Sequence, residues 1–591
     1  MGIRKKKDIG TIIHRDGVSF RVWAPNAKAV AVVGTFNNWQ PSPLTNEGDG
    51  YWASFIENVE AGAEYRFQID TGTNFLLKND PRALQVTTSA GNSVVVDPYF
   101  DWDDQQFTSP SFNKQILYEM HVGTFHRADA STPGTFDMAA EKLAYLSDLG
   151  VNMIELMPIG SMPMDRGWGY ATDFIYAVES LYGGRHGLLQ FIKQAHGHGI
   201  GVILDVVYNH FGPDANLDLW LFDGWSENNK GGIYFYNDWR STTPWGETRP
   251  DYGRPEVRQF IYDNVRMWIH DFRLDGLRVD STVFIRNVEG HNNDPAHDIP
   301  DGWALLQGIN SVARKINPNA LLIAEDSSGN DYITKPKTEG GAGFSSQWEM
   351  DLPKVLRSVL DIPNDEARSI TTIADALRRN IYNGDAFQRV IYSDSHDSAG
   401  NGGKRMNAEI QPDNPTGLYA RRRSLLASAI ILTAPGIPML FQGQEFMEDG
   451  SFNDYSPLDW EKANKLKGMV EAHKHLIALR KNLYSSTLGL SEHGFNVTHL
   501  NETDKVLAYH RFSKGGPGDD VVIVLNFANK IQKNYEIDFP RSGLWRVRFN
   551  SDWKGYSADF KDTQTRDVVV ENGKGTFDIG PYSSLIFSQD S

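Results

Sequence analysis

Residues Gly201 to His210 read GVILDVVYNH, and this stretch decides the fold. Val202, Ile203 and Leu204 make a short apolar run that ends in Asp205, Asn209 and His210. A run of that length with no polar alternation fits a strand buried on both faces, as in a parallel sheet covered by helices. Outward from it the design recurs at Ile116–Met120, Val151–Met157, Gly276–Asp280, Leu321–Glu325, Phe344–Trp348, Val390–Ser393 and Pro438–Phe441, with amphipathic helical stretches between. Eight such strands in roughly 370 residues, from about Phe112 to Asn482, predict an α/β fold built on a (β/α)8 TIM barrel with long insertions.

The flanks follow another period. From Val18 to about Asp97, polar and apolar residues alternate, as in Ser19-Phe20-Arg21-Val22-Trp23, with turns at Asn37-Asn38 and Gly48-Asp49-Gly50. This predicts an N-terminal β-sandwich, in which Trp39 and Trp52 are read either as core or as part of a ligand-binding surface. Past Asn482, short strands return, such as Val506–Phe512, Val521–Asn526 and Ser583–Ser588, and predict a C-terminal β-sandwich. The expected division is 1–108, 109–482 and 483–591. Ser424 to Gln444 is uncharged and resembles a membrane span, but Pro435, Gly436 and Pro438 interrupt it. A buried helix over Leu425–Leu432 and a buried strand over Ile437–Phe441 are expected instead.

The 591 residues carry 58 Lys+Arg against 75 Asp+Glu, a net charge of −17, which disfavours nucleic acid and anionic membranes as partners. The absence of Cys excludes thiolate catalysis, thiolate metal sites and disulfides. The start, MGIRKKKDIG, has no apolar run behind its charges and does not read as a secretory signal, so a cytoplasmic location is expected. Aromatic residues reach 12%, enough to suggest surfaces that stack on a neutral ligand.

Side chains at the C-terminal ends of barrel strands converge on one mouth. There the third strand brings Asp205, Asn209 and His210, the fourth Arg278 and Asp280, the fifth Glu325, and the seventh His396 and Asp397. A single strand-end acid commonly caps the next helix. Three acids, Asp280, Glu325 and Asp397, closing three strands beside His210, Arg278 and His396, point to a site instead. Glycosidic cleavage needs one carboxylic acid to protonate the leaving oxygen and one carboxylate to attack or to activate water. Arg278 lies two residues before Asp280, on the same face, and should hold it ionised, whereas Glu325 follows only Leu321-Leu322-Ile323-Ala324, which favours its protonated form. No His-x3-His or Asp-x-Asp run occurs at these ends, so no metal and no cofactor is expected.

The segments DVVYNH (205–210), GLRVD (276–280), AED (324–326) and SHD (395–397) resemble, in order and spacing, the four signature regions of the α-amylase superfamily, glycoside hydrolase family 13. The resemblance implies Asp280 as nucleophile, Glu325 as acid/base and Asp397 as transition-state stabiliser. It also implies that Asp205, His210, Arg278 and His396 shape the sugar site and that Tyr170, in Gly167-Trp168-Gly169-Tyr170, stacks on the ring being cleaved. Asn209 holds calcium in true amylases of this family. Val22-Trp23-Ala24-Pro25, Gly34 to Trp39, Gly62 to Phe67 and Asn79-Asp80-Pro81 resemble the glycogen-type carbohydrate-binding module found ahead of branching enzymes, debranching enzymes and trehalohydrolases. Within the family, Asp205 to Pro213 is closer to trehalohydrolases and debranching enzymes. The region after Glu325, from Glu325 to Gly329 and on through Gly340 to Phe344, Trp348 and Met350, and the region Tyr392 to Asp397 both resemble 1,4-α-glucan branching enzymes. Two regions against one imply a branching enzyme of glycogen or starch metabolism acting on α-1,4-glucan such as glycogen, amylose or maltodextrin. An α-glucan hydrolase of α-amylase or malto-oligosyltrehalose trehalohydrolase type is the alternative, and a non-catalytic glucan-binding protein the second.

Overall fold

The computed structural model describes residues 9–591 apart from 89, 130, 164–165, 213–217, 380 and 565. The basic run at residues 1–8, read above as no secretory signal, lies outside the described residues.

Eight parallel strands close into a barrel: Leu117–Met120, Met153–Leu156, Gly201–Val206, Gly276–Val279, Leu321–Ala324, Ser346–Trp348, Arg389–Ile391 and Ile437–Phe441. The first pairs with both the second and the eighth, which removes every sheet edge. The expected eight strands are those observed, each within a few residues of the sequence reading. Much of the interior is an apolar plug of Leu117, Met153, Ile203, Leu321, Ile323, Trp348, Val390, Ile437 and Met439. Toward the C-terminal ends it turns polar, with Glu119 in register with Glu155 and Asp205 in register with Arg278. The plug makes the floor rigid, and the polar residues are aimed at the mouth.

Among the described residues the N-terminal region is two antiparallel sheets with no helix longer than a single 3-10 turn at Thr35–Asn37. Its alternation buries Phe20, Val22, Val30, Val32, Tyr65, Phe67 and Ile69 between them. Of the two tryptophans read either way, Trp52 is buried and donates Nε1–H to the Ala24 carbonyl, whereas Trp39 is 39% exposed. This region is bolted to the barrel by Asn79 Nδ2, which donates to Asp218 at 2.6 Å, and by Arg82, which pairs with Asp263 at 2.9 Å. The C-terminal region is again antiparallel, with a six-stranded sheet and a two-stranded one.

The helix expected over Leu425–Leu432 begins earlier, at Leu418, and runs to Thr433. Its charged turn is not a membrane flank: Arg422 pairs with Asp552 at 2.5 Å and Arg423 donates to the Leu360 carbonyl at 2.7 Å. Among the described residues no helix is long and apolar enough to cross a membrane. Where this helix ends, Arg480 and Arg511 donate to the carbonyls of Ala434 and Thr433, satisfying acceptors that a helix C-terminus leaves open.

Candidate active site

Arg278 organises the mouth. Fully buried, it extends from the fourth strand so that Nη1 donates to Asp205 at 2.6 Å and to Asp280 Oδ1 at 2.8 Å, while Nη2 lies 2.8 Å from Glu325 Oε2. Its guanidinium lies over the Trp348 ring, with Cζ 4.3 Å from the ring centroid. The sequence reading gave Arg278 to Asp280 alone; the structure corrects it, because a guanidinium presents donors in several directions and reaches the neighbouring strands on both sides. Burial alone would lower the pKa of Arg278, but Asp205, Glu325 and Asp280 raise it well above the ordinary arginine value, so its charge is permanent.

Asp280 Oδ2 accepts from Asn209 Nδ2 at 2.6 Å. Burial raises the Asp280 pKa, the Arg278 cation and the Asn209 bond work against that rise, and Asp205 adds to it. Glu325 is the carboxyl pushed to about 7, by burial first, with Arg278 opposing and the Asp280 and Asp397 anions reinforcing. Its Oε2 already accepts the Ser281 N–H at 2.9 Å and faces Arg278, so the proton belongs on Oε1. Ser281 can donate in that direction because it sits in the left-handed region, φ 42°, immediately after Asp280.

Asp397 lies at the end of the seventh strand with its side chain 37% exposed, and its Oδ1 accepts from Asn401 at 2.9 Å. Burial would raise its pKa, but the adjacent His396 cation brings it down to about 2. His396 is held from behind: Glu119 Oε1 lies 2.5 Å from its Nδ1, and Glu119 Oε2 accepts its backbone N–H at 3.0 Å. Burial would keep His396 neutral, yet Asp397 and Glu119 raise its pKa well above the ordinary value. Tyr170 stacks on the His396 ring at 5.1 Å and donates its hydroxyl to Asp205 at 2.6 Å. All eight residues singled out from the sequence (Tyr170, Asp205, His210, Arg278, Asp280, Glu325, His396 and Asp397) thus line one mouth or its immediate support.

His210 stacks on the half-exposed Trp245 at 4.7 Å. Its Nδ1 is 2.5 Å from Asn209 Oδ1, and burial holds its pKa at about 4, so the ring is neutral. Asn209 is thereby engaged on both sides, its nitrogen with Asp280 and its oxygen with His210. Among the described residues no group of three or more Asp, Glu or His could hold a metal.

Sequence reasoning missed Glu119, Asn209 as a partner of Asp280, Trp245 and Ser281. Glu119 carried a usable signal, a charge inside the apolar strand Leu117-Tyr118-Glu119-Met120. Trp245 carried none, since it lies on a loop after the third strand.

A family model for the α-amylase catalytic domain matches residues 120–250 and 218–482, one for carbohydrate-binding module 48 (isoamylase N-terminal domain) matches 2–99, and one for the α-amylase C-terminal all-β domain matches 497–590. The 1,4-alpha-glucan branching enzyme GlgB of Corynebacterium jeikeium (strain K411) is 31% identical over 580 residues, covering 92% of this chain and 78% of the relative. That of Geobacillus stearothermophilus is 31% identical over 562 residues, covering 91% and 84%. Among solved structures, a pullulanase from Anoxybacillus sp. LM18-11 complexed with maltotetraose superposes with a TM-score of 0.76 at 21% identity, covering 98% of this chain and 87% of the other. Pullulanase type I of Bacillus subtilis str. 168, complexed with maltose, gives 0.76 at 22% identity, covering 99% and 86%. The chain belongs to the α-amylase family and is an enzyme with an N-terminal carbohydrate-binding module and a C-terminal β-region.

Proposed function

We propose that this enzyme is a retaining 1,4-α-glucan branching enzyme that cleaves an α-1,4 bond of glycogen, amylose or maltodextrin and transfers the cut chain to a 6-hydroxyl, in a cytoplasmic setting. Its division at about residues 108 and 482 gives the barrel the chemistry and leaves the flanks to support it. Asp280 is the nucleophile, Glu325 the acid/base and Asp397 the stabiliser of the transition state.

The observation that carries the reading is the asymmetry of the two central carboxyls. Asp280 is held by donors on both oxygens, whereas Glu325, at about 7, offers an oxygen free of protein donors toward the mouth. In the first step Asp280 attacks the anomeric carbon, the glycosidic C–O bond breaks, and Glu325 Oε1 gives its proton to the departing oxygen. The positive charge that develops on the sugar faces the Asp397 anion. In the second step the Glu325 carboxylate takes the proton of an acceptor 6-hydroxyl, whose oxygen displaces Asp280 from the anomeric carbon. Two inversions leave the configuration α. Tyr170 supplies the aromatic face for the sugar, and Asp205, His210 and His396 the polar edge. Transfer in place of hydrolysis is supported by the branching-enzyme relatives that align over about nine-tenths of the chain.

The test is to incubate the protein with amylose and follow iodine staining against reducing ends. Falling stain without new reducing ends is expected. A matched rise in reducing ends would assign hydrolysis, and an unchanged stain would return the chain to glucan binding.

A further inference from the structure

Beyond the mouth, a buried ion pair joins the segment after Asp280 to the segment after Glu325, and no step above uses it. Arg286 ends the short helix Thr282–Arg286. Its Nε and Nη2 donate to the two oxygens of Asp326 at 2.8 Å each, with side-chain exposures of 6% and 0%. Ser328 Oγ closes the group, accepting from Arg286 at 2.6 Å and donating to Asp326 at 2.6 Å. At the near end of the same helix, Thr282 donates its N–H to the Glu325 carbonyl at 2.8 Å and its hydroxyl to the same oxygen at 2.9 Å.

These contacts begin where the sheet stops. The ladder between the fourth and fifth strands ends at Val279 and Ala324, with Glu325 N–H on the Val279 carbonyl as its last rung. Both central carboxyls therefore sit just past the end of the ladder, and Ser281 holds a left-handed backbone to reach Glu325. Asp280 has independent anchors in Arg278 and Asn209. Glu325 is held at Oε2 by the Ser281 N–H and the Arg278 cation, and its carbonyl accepts from Thr282, so its backbone is tied to the segment after Asp280.

We propose that Arg286 and Asp326 are positioning residues for Glu325: their bidentate pair, acting through Thr282 and Ser281, extends the strand register past the end of the ladder and keeps the acid within reach of the leaving oxygen. A planar two-point bond between guanidinium and carboxylate fixes orientation as well as distance. Its loss loosens the backbone that carries Glu325 and leaves the Arg278 contact to hold the carboxyl, while Asp280 keeps both its anchors. The proposal rests on the reading of Glu325 as acid/base.

The experiment separates proton donation from attack by changing the leaving group. Fluoride departs from α-maltosyl fluoride without needing a proton, whereas the sugar oxygen of amylose needs one. Glu325→Gln is the reference: a large loss in kcat/KM on amylose with kcat/KM for fluoride release, which reports the first step alone, largely kept upholds the acid/base reading, and equal losses on both substrates overturn that reading itself. With the reference upheld, Arg286→Met and Asp326→Asn should each lower kcat/KM on amylose by about tenfold or more and leave fluoride release within about twofold, as expected of a displaced acid. Arg286→Lys, which keeps the charge, should recover part of the loss. Equal losses on both substrates, or no loss on either, would overturn the positioning role and leave Glu325 as acid/base. Should Arg286→Met fail to fold by circular dichroism, Asp326→Asn, which preserves shape, carries the same comparison.

Discussion

Replacing Arg278 with Met should displace the whole pH profile of kcat/KM upward. The cation lies 2.8 Å from an oxygen of Asp280 and 2.8 Å from one of Glu325, so both carboxyls lose a charge that favours their ionised form. Their pKa values rise together: the acid limb, set by ionisation of Asp280, and the alkaline limb, set by deprotonation of Glu325, move the same way. At an effective dielectric of about 20, unit charges about 4 Å apart attract by about 4 kcal/mol. One pKa unit is about 1.4 kcal/mol, so the bare interaction is worth up to about 3 units, and water entering the vacated space reduces it. A displacement of about one unit or more is expected in each limb. The variant also leaves three buried carboxyls without their cation, which costs about 3–5 kcal/mol of stability, so the profile is taken well below its melting temperature. The assay is kcat/KM on maltodextrin from about pH 4 to 10. The limbs belong to the pair of carboxyls and not to either one, so displacement relative to the parent is the quantity to read. An acid limb that stays put would refute the role of Arg278 at Asp280. An alkaline limb that stays put would refute its role at Glu325.

Three further outcomes follow from the same geometry. The linkage formed on the acceptor 6-hydroxyl, observed by proton NMR of the branched product, should be α-1,6, and a β-linkage would remove Asp280 from the nucleophile's role. Asn209→Ala removes the 2.6 Å bond to Asp280 Oδ2 and should raise the acid limb while leaving the alkaline limb near its place; an unchanged acid limb would show that the bond does not favour the anion. Glu445 is buried beneath the hydroxyls of Tyr118 and Tyr145, and burial raises its pKa from 4.5 to about 7. The folded state therefore holds a proton that the unfolded chain releases, so the contribution is full below about 4.5 and is lost as pH rises toward 7. Glu445→Gln should flatten the decline of melting temperature across that window, and a slope equal to the parent's would refute the assignment.

The barrel was legible because each strand is a short apolar run bounded by polar residues, a pattern set by burial on both faces and independent of tertiary detail. The candidate site was legible for the same reason: Asp205, Asp280, Glu325 and Asp397 stand where an apolar run stops. What escaped the sequence is what depends on reach across strands. The spacing of Arg278 and Asp280 shows that they share a face, but nothing in it shows that the guanidinium also spans to Glu325 on the next strand. Glu119 and His396 are separated by 277 residues and meet only because the barrel closes. Ser281 escaped because a left-handed backbone at a non-glycine residue has no mark in composition. The helix over Leu418–Thr433 was read short because only the uncharged run after Arg423 was taken as helix; Arg422 and Arg423 are satisfied by Asp552 and the Leu360 carbonyl, which lie far away in the chain.

The most direct test of the account is to trap the glycosyl-enzyme. In Glu325→Gln, α-maltosyl fluoride can still glycosylate the protein, because fluoride needs no proton to leave. The second step lacks its base, so the ester should accumulate. Intact-mass measurement should show one maltosyl group per chain, and peptide mapping should place it on Asp280. An adduct on Glu325's neighbours or on Asp397, or fluoride release that persists unchanged when Asp280→Asn is added, would contradict the assignment of Asp280 as the nucleophile.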